Sequence, residues 1–134
     1  MQPSAETGVY LDASALVKLV IPEPETEALS AYVDRPVVLT SSSIARAEVM
    51  RTVRPHGPAA TVAGRSLLAQ LDLVQLDDEL LELAAEIDLP LRSLDAIQIA
   101  SALELGDTLV ALVTYDAEMA RAAESLGLPV LAPA

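Results

Sequence analysis

The chain has 134 residues, a hydrophobic fraction of 52%, no cysteine and a formal net charge of −12 at pH 7. This length and apolar content suit one compact domain, and the lack of cysteine excludes a disulfide framework. Because the apolar runs are shorter than the roughly 18 residues that span a bilayer, and no signal-peptide pattern occurs, we expect a cytoplasmic protein.

In the first half of the chain, short apolar runs alternate with amphipathic segments that prolines interrupt. Residues 1–7 are polar and aperiodic, which predicts a disordered tail before a single domain at residues 8–134. The serines at residues 41–43 are predicted to cap the helix after them, and residues 54–58 cannot remain helical. The predicted elements are, in order, a strand at residues 9–11, helices at 13–20 and 25–33, a strand at 37–39 and a helix at 44–53.

The second half of the chain continues this alternation. Pro90 separates two predicted helices, and Gly106 and Gly127 are expected to end the last two. Strands that alternate with helices at this spacing predict an α/β fold, with a mostly parallel sheet and helices on both faces. The predicted elements are a helix at residues 59–70, a strand at 71–76, helices at 77–87 and 94–105, a strand at 109–114, a helix at 117–126 and an edge strand at 129–131.

Two aspartates directly follow predicted strands, Asp12 after the first and Asp116 after the fourth. Ligand sites of open parallel sheets form where strand carboxyl ends meet helix N-termini. If these two strands are neighbours, their aspartates meet at one edge of the sheet. Capping of a helix, worth about 1 kcal/mol, is an equally open interpretation of each aspartate.

Two further acids occupy helix positions where an unpaired charge is costly. Glu48 falls on an otherwise largely apolar helix face and therefore needs a partner. Asp95, Gln98 and Ser101 form a narrow polar ridge on a helix that is apolar elsewhere, so this ridge must face something polar. A structural interpretation stays open for Asp95, because a carboxylate in the first turn of a helix is favoured by the helix dipole.

Convergence of these four acids would require a compensating charge. Each pair of carboxylates at about 4 Å costs on the order of 4 kcal/mol at an effective dielectric constant of about 20. With no cysteine and a single histidine, His56, the ligands available are oxygens. Oxygen ligands favour a hard cation such as Mg²⁺ or Mn²⁺ over zinc.

Four short blocks of the sequence resemble, in order, the acidic motifs of PIN-domain nucleases. Each block is common by chance, but the four occur in the right order on the right elements and span nearly the whole chain. The end of the chain, residues 120–133, also resembles the closing helix and strand of VapC-type toxins. The four blocks are Tyr10-Leu11-Asp12-Ala13-Ser14-Ala15-Leu16, Ala47-Glu48-Val49, Leu94-Asp95-Ala96-Ile97-Gln98-Ile99-Ala100 and Thr114-Tyr115-Asp116.

The resemblance implies a three-layer, PIN-like α/β/α fold with a five-stranded sheet. It also implies an endoribonuclease that uses Mg²⁺ or Mn²⁺, acts as the toxin of a toxin–antitoxin module, forms a homodimer and is inhibited by a VapB-like antitoxin. Ser14 and Thr114 match hydroxyl positions beside the site, although helix capping and strand-end hydrogen bonding remain open for them. The positions that match the family's catalytic metal ligands are Asp12, Glu48, Asp95 and Asp116.

The acidic composition conflicts with RNA binding, since phosphate recognition normally uses basic residues and the chain has only eight Lys and Arg. Bound cations or a basic partner would offset this deficit. Arg46, Arg51 and Arg92 are candidates for contacting RNA because they lie near the predicted site in sequence. A solvated helix face, or pairing of Arg51 with Glu48, explains such arginines equally well.

Two other functional classes remain. A catalytically silent PIN-like domain would serve only as a binding module, although it would have no use for four acids. A receiver-like regulatory domain also holds Mg²⁺ on an α/β sheet. It fits less well, because the first strand supplies a single aspartate and the only lysine, Lys18, lies far from the last strand.

Overall fold

The computed structural model describes residues 8–134, and the predicted tail at residues 1–7 lies outside this range. Within residues 8–134 the chain forms five strands and seven α-helices. The strands are β1 (Gly8–Leu11), β2 (Val38–Ser42), β3 (Asp72–Val74), β4 (Leu109–Val113) and β5 (Val130–Leu131). The helices are α1 (Ala13–Lys18), α2 (Thr26–Val33), α3 (Ala45–Val53), α4 (Pro58–Ala69), α5 (Asp78–Glu86), α6 (Ser93–Leu103) and α7 (Ala117–Ser125).

The five strands form one sheet in the order β3-β2-β1-β4-β5, and every neighbouring pair is parallel. In the central register, Tyr10 of β1 lies between Thr40 of β2 and Leu112 of β4. The predicted α/β fold with a parallel sheet is therefore confirmed. β1 and β4 are neighbours, so Asp12 and Asp116 follow adjacent strands.

Successive residues of β1 point to opposite faces of the sheet and belong to different clusters of the core. Val9 and Leu11 pack with the first four helices, whereas Tyr10 packs with α6 and α7, and α5 packs on α6. This alternation produces the three layers, helices on both faces of a buried parallel sheet. No helix in residues 8–134 has the length and apolar content needed to cross a membrane.

Of the three serines that were expected to cap the third helix, Ser41 and Ser42 belong to strand β2, and Ser43 follows it. Ser41 and Ser42 pair with Leu73 and Val74 of β3. Ser41 Oγ donates to the carbonyl of Leu11 (2.6 Å), which ties β2 to β1. Ser42 Oγ accepts from the N–H of Ile44 (3.2 Å), the residue before α3, but no serine caps the helix itself. The prediction of a serine cap was wrong, because pairing with β3 outweighs the local tendency of serine to cap a helix.

The break after the third helix is confirmed. A single 3-10 turn, Arg54–His56, ends at Gly57, whose φ of +107° is a conformation that favours glycine. Pro58 then begins α4 at a position where its missing N–H costs nothing.

Leu29 of α2 gives a test of the core that lies away from the acidic residues. Its side chain is fully buried in the cluster beneath β1. We expect Leu29→Ala to lower the free energy of unfolding by about 2–5 kcal/mol, through lost burial and the cavity it leaves. The matched change Leu81→Ala, at an exposed leucine, should alter it by less than about 0.5 kcal/mol. Urea unfolding followed by circular dichroism measures both, and equal losses would contradict this packing.

Candidate metal centre at the carboxyl edge of the sheet

Asp12 directly follows β1, and its side chain is almost completely buried, with 2% exposed. Three neutral donors surround its carboxylate. Oδ1 accepts hydrogen bonds from Ser14 Oγ (2.6 Å) and the backbone N–H of Ala15 (3.0 Å). Oδ2 accepts one from Thr114 Oγ1 (2.5 Å). The bond from Ala15 caps α1, so the capping interpretation of Asp12 is confirmed, and the two hydroxyl bonds are additional.

The same two hydroxyls tie the ends of β1 and β4 together. Ser14 Oγ accepts from the N–H of Tyr115 (3.0 Å), and Thr114 Oγ1 accepts from the N–H of Asp116 (3.1 Å). Each hydroxyl therefore donates to Asp12 and accepts from the backbone that follows β4. The hydroxyl of Ser14 therefore does not cap a helix. The hydroxyl of Thr114 bonds to the Asp12 side chain as well as to the backbone at the end of its strand.

Asp116 caps α7 with one oxygen, since its Oδ1 accepts from the N–H groups of Glu118 (2.9 Å) and Met119 (3.0 Å). The capping interpretation is confirmed here too. Asp116 also lines a cavity of about 340 Å³ together with Asp95 and Arg92. Capping and membership of an acidic site are thus compatible for this residue.

Asp95 lies in the first turn of α6 and is paired with a positive charge. Arg92 Nε contacts Asp95 Oδ2 at 3.1 Å, and 79% of the arginine side chain is exposed against 15% of the aspartate side chain. The polar ridge predicted on this helix faces inward, because Gln98 and Ser101 are both buried. The two residues of this ion pair are three positions apart, and the arginine is the one exposed to solvent.

Glu48 of α3 is half-buried, and its Oε1 accepts a hydrogen bond from Gln98 Nε2 (2.6 Å). Burial raises the pKa of Glu48, the Gln98 bond opposes this, and the charges of Asp12 and Asp95 raise the pKa further. In residues 8–134 no ion pair joins Glu48 to Arg51. The partner that this buried acid needed is therefore an uncharged amide.

Gln98 was expected on the polar ridge of α6, but its contact with Glu48 and the contribution of Tyr10 were not predicted. Tyr10 Oη donates to Gln98 Oε1, on the opposite side of the amide from Glu48. Burial raises the pKa of Tyr10 far above its usual value. The spacing of Gln98 from Asp95 was the available signal, since a buried amide on such a ridge must bond to something polar.

The four acids lie at the carboxyl edge of the sheet and influence one another electrostatically. Burial raises the pKa of Asp12; the bonds from Ser14, Thr114 and Ala15 lower it, and the charge of Asp116 raises it again. A second cavity, of about 420 Å³, is lined by Ser14 and Glu48. Within residues 8–134 no three Asp, Glu or His side chains stand close enough, as oriented, to hold one ion.

The chemistry of this edge nevertheless fits a hard cation. All the acidic ligands are carboxylates, and in residues 8–134 no lysine or arginine forms an ion pair with Asp12, Glu48 or Asp116. Asp12 has no lysine or arginine paired with it in the described residues, and burial raises its pKa, an effect that a bound cation would oppose. Oxygen ligands with no neighbouring lysine or arginine suit Mg²⁺ or Mn²⁺.

Comparison with known proteins gives consistent similarities over most of the chain. The family model of the PIN domain matches residues 9–125. Ribonuclease VapC46 of Mycobacterium tuberculosis is 49% identical over 127 residues, which cover 93% of this chain and 97% of the relative.

Two solved structures are similar in fold. VapC20 of Mycobacterium tuberculosis, a toxin that cleaves the sarcin–ricin loop, matches with a TM-score of 0.74 and 17% identity, over 93% of this chain and 99% of its own. VapBC2 of Rickettsia felis, bound to a DNA fragment from its promoter, matches with a TM-score of 0.67 and 15% identity, over 94% and 99%. At such identities the likeness concerns the fold alone.

Thr114→Val tests the hydroxyl network, because valine keeps the shape and removes the oxygen. Asp12 Oδ2 and the N–H of Asp116 would both lose a buried partner, so we expect the unfolding free energy to fall by about 1–3 kcal/mol. Thr108→Val is the matched control, since the hydroxyl of Thr108 is bonded at an exposed turn. Urea unfolding at pH 7 in EDTA measures both, and a Thr114 variant as stable as this control would contradict the network.

Proposed function

The chain belongs to the PIN-domain family as a VapC-type ribonuclease, and we propose that its four acids form the metal-dependent site of an RNA-cleaving toxin. Catalysis is assigned to Asp12, Glu48, Asp95 and Asp116, with Mg²⁺ or Mn²⁺ as the cofactor. Membership of this family removes the receiver-like alternative. A catalytically silent binding module is the remaining competitor, and the absence of metal-dependent cleavage would identify it.

The observation that carries this proposal is the environment of Asp12. A carboxylate with 2% exposure and no ion pair in the described chain is costly to bury. Its hydrogen bonds come from two hydroxyls and one backbone N–H, which hold its orientation without cancelling its charge. Burial raises the pKa of this carboxyl, and a bound cation would offset that cost by favouring the ionised form.

When bound, a divalent cation would supply a water of lowered pKa and positive charge near the departing oxygen of the phosphodiester. The residues of this chain orient the reactants around it. Ser14 and Thr114 fix Asp12, while Asp95 and Asp116 line one cavity and Glu48 another. Arg92, largely exposed, is suited to leave Asp95 and contact a phosphate of the RNA.

Binding of RNA to so acidic a protein depends on a few local arginines. Arg46 and Arg51 are exposed on α3, the helix that carries Glu48. We assign these two residues and Arg92 to phosphate contacts. The remaining negative surface is suited to a basic segment of a partner.

The proposed partner is a VapB-like antitoxin, as in the complex of VapBC2 from Rickettsia felis to which this fold is similar. We further propose a homodimer that acts in the cytoplasm. An antitoxin that brings basic side chains to the carboxyl edge would compete with the cation for the same acids.

Asp116→Asn tests the catalytic assignment with little effect on folding, because asparagine caps a helix as well as aspartate does. We expect the rate of cleavage of total mycobacterial RNA in Mn²⁺ to fall by at least about 10–100-fold. Loss of a residue that merely hydrogen-bonds to a metal ligand already has an effect of this size. EDTA should abolish cleavage by the unaltered protein.

The matched control is Asp77→Asn. Asp77 caps α5 through the N–H of Leu80 (2.9 Å), after the edge strand β3. This variant should cleave RNA at the unaltered rate, and both variants should unfold at similar temperatures in EDTA. Cleavage that survives EDTA, or an Asp116 variant as active as the control, would refute the proposed site.

Arg46→Gln and Arg51→Gln test the proposed RNA contacts. Each lost phosphate contact should reduce the slope of log Kd against log salt concentration by roughly 0.7 to 1. Fluorescence anisotropy with labelled single-stranded RNA, in the Asp116→Asn background, measures this slope. Arg35→Gln is the control, because Arg35 precedes β2 and so lies at the opposite edge of the sheet. Identical slopes in all three variants would show that α3 does not contact the RNA.

A further inference from the structure

A chain of three polar side chains runs from the interior of the fold to Glu48. It begins at Tyr10 of β1, which is 0% exposed, and passes through Gln98 of α6, which is 1% exposed. Tyr10 Oη donates to Gln98 Oε1, and Gln98 Nε2 donates to Glu48 Oε1 at 2.6 Å. Three different elements, β1, α6 and α3, are thus joined through one amide.

The direction of this amide is determined by the donors around it. The hydroxyls of Ser41 and Ser101 lie close enough to Tyr10 to lower its pKa. Each of them, however, donates its own proton to a backbone carbonyl. Ser41 Oγ donates to Leu11 and Ser101 Oγ donates to Ile97. Tyr10 is therefore the donor for Gln98 Oε1. With Oε1 engaged by the phenol, Nε2 must point toward the carboxylate of Glu48.

We propose that Gln98 is a positioning residue that fixes the Glu48 carboxylate for the cation, and that Tyr10 acts through Gln98 by fixing the direction of its amide. This inference rests on the proposed function, in which Glu48 helps to hold the metal. A neutral amide restrains one oxygen of Glu48 and adds no positive charge beside the carboxyl group. Glu48 Oε2 accepts no hydrogen bond from the described residues.

A neutral partner differs in effect from a charged one. Arg92 beside Asp95 cancels a charge and is open to solvent. Gln98 is enclosed, so it cannot exchange its partner for water. Partners hydrogen-bonded to metal ligands typically contribute 10–100-fold to metal affinity, because they hold the ligand in its binding orientation.

Loss of the donor to Glu48 should weaken the binding of Mn²⁺. We expect Gln98→Leu to raise the Kd for Mn²⁺ by about 10–100-fold, and Tyr10→Phe to raise it by about 10-fold. In Tyr10→Phe the amide loses the donor that fixes its direction, and its oxygen can turn toward the carboxylate. Isothermal titration calorimetry on the full chain gives the Kd, and thermal unfolding in EDTA separates this effect from loss of folding.

The double variant distinguishes a relay from two independent effects. If Tyr10 acts through Gln98, Tyr10→Phe should add nothing to the Kd once Gln98→Leu is present. If Tyr10 and Gln98 acted independently, the fold-increases in Kd of the two single variants would multiply in the double variant. Tyr32→Phe is the matched control, since Tyr32 lies on α2 at the edge of the other core cluster, and it should bind Mn²⁺ with the unaltered Kd.

Glu48→Gln separates failure of this inference from failure of the proposed function. If Glu48→Gln binds Mn²⁺ more weakly while Gln98→Leu and Tyr10→Phe bind it with unaltered affinity, the relay is overturned and the metal site stands. Unaltered affinity in Glu48→Gln would overturn both, because Glu48 would then hold no metal. Should Gln98→Leu fail to fold, Tyr10→Phe, which removes one oxygen, still decides: unaltered affinity overturns the relay and a raised Kd supports it.

Discussion

The buried carboxylate of Asp12 is the constraint around which the rest of the site is arranged. It directly follows the central strand β1, whose last residue, Leu11, pairs with Val113 of β4, and both of these residues belong to the core. A charge in this position needs donors, and the nearest segments supply them as two hydroxyls and one helix N-terminus. The same hydroxyls accept from the backbone beyond β4, so the solvation of Asp12 also fixes the path of the chain into α7.

The four acids are stabilised by different means, and the differences have chemical consequences. Asp12 is held by hydroxyls, Glu48 by an amide and Asp116 by the N-terminus of a helix, all of which are neutral dipoles. Among these four acids and within residues 8–134, only Asp95 is paired with a charge, the exposed Arg92. Neutral donors orient a carboxylate and leave its charge available, whereas an exposed ion pair contributes about 0–1 kcal/mol and is easily exchanged. The edge of the sheet therefore combines fixed anions with one replaceable counterion.

Much of the fold follows from local signals in the sequence. Apolar runs, prolines and glycines located every strand and helix to within a few residues, and the capping positions of Asp12 and Asp116 were evident from their place after strands. Ser41 and Ser42 were misassigned because capping is a local preference, while membership of β2 depends on strands from distant parts of the chain. The bond of Thr114 to Asp12 joins residues 102 positions apart and that of Gln98 to Glu48 joins residues 50 apart. Periodicity cannot reveal such pairs, although it did identify the ridge on which Gln98 lies.

Collecting four acids at one edge opposes folding, since each close pair costs on the order of 4 kcal/mol, against a total stability of about 5–15 kcal/mol for a typical domain. The arrangement limits this cost by giving each acid its own donors and by leaving no three of the Asp, Glu and His side chains of residues 8–134 within reach of a common ion as oriented. Asp12 occupies the most buried position and also has the most complete set of donors. Glu48 and Asp95 are partly exposed, so water screens part of their repulsion. The sheet thus supports its acidic edge by matching the donors around each carboxylate to the depth at which it is buried.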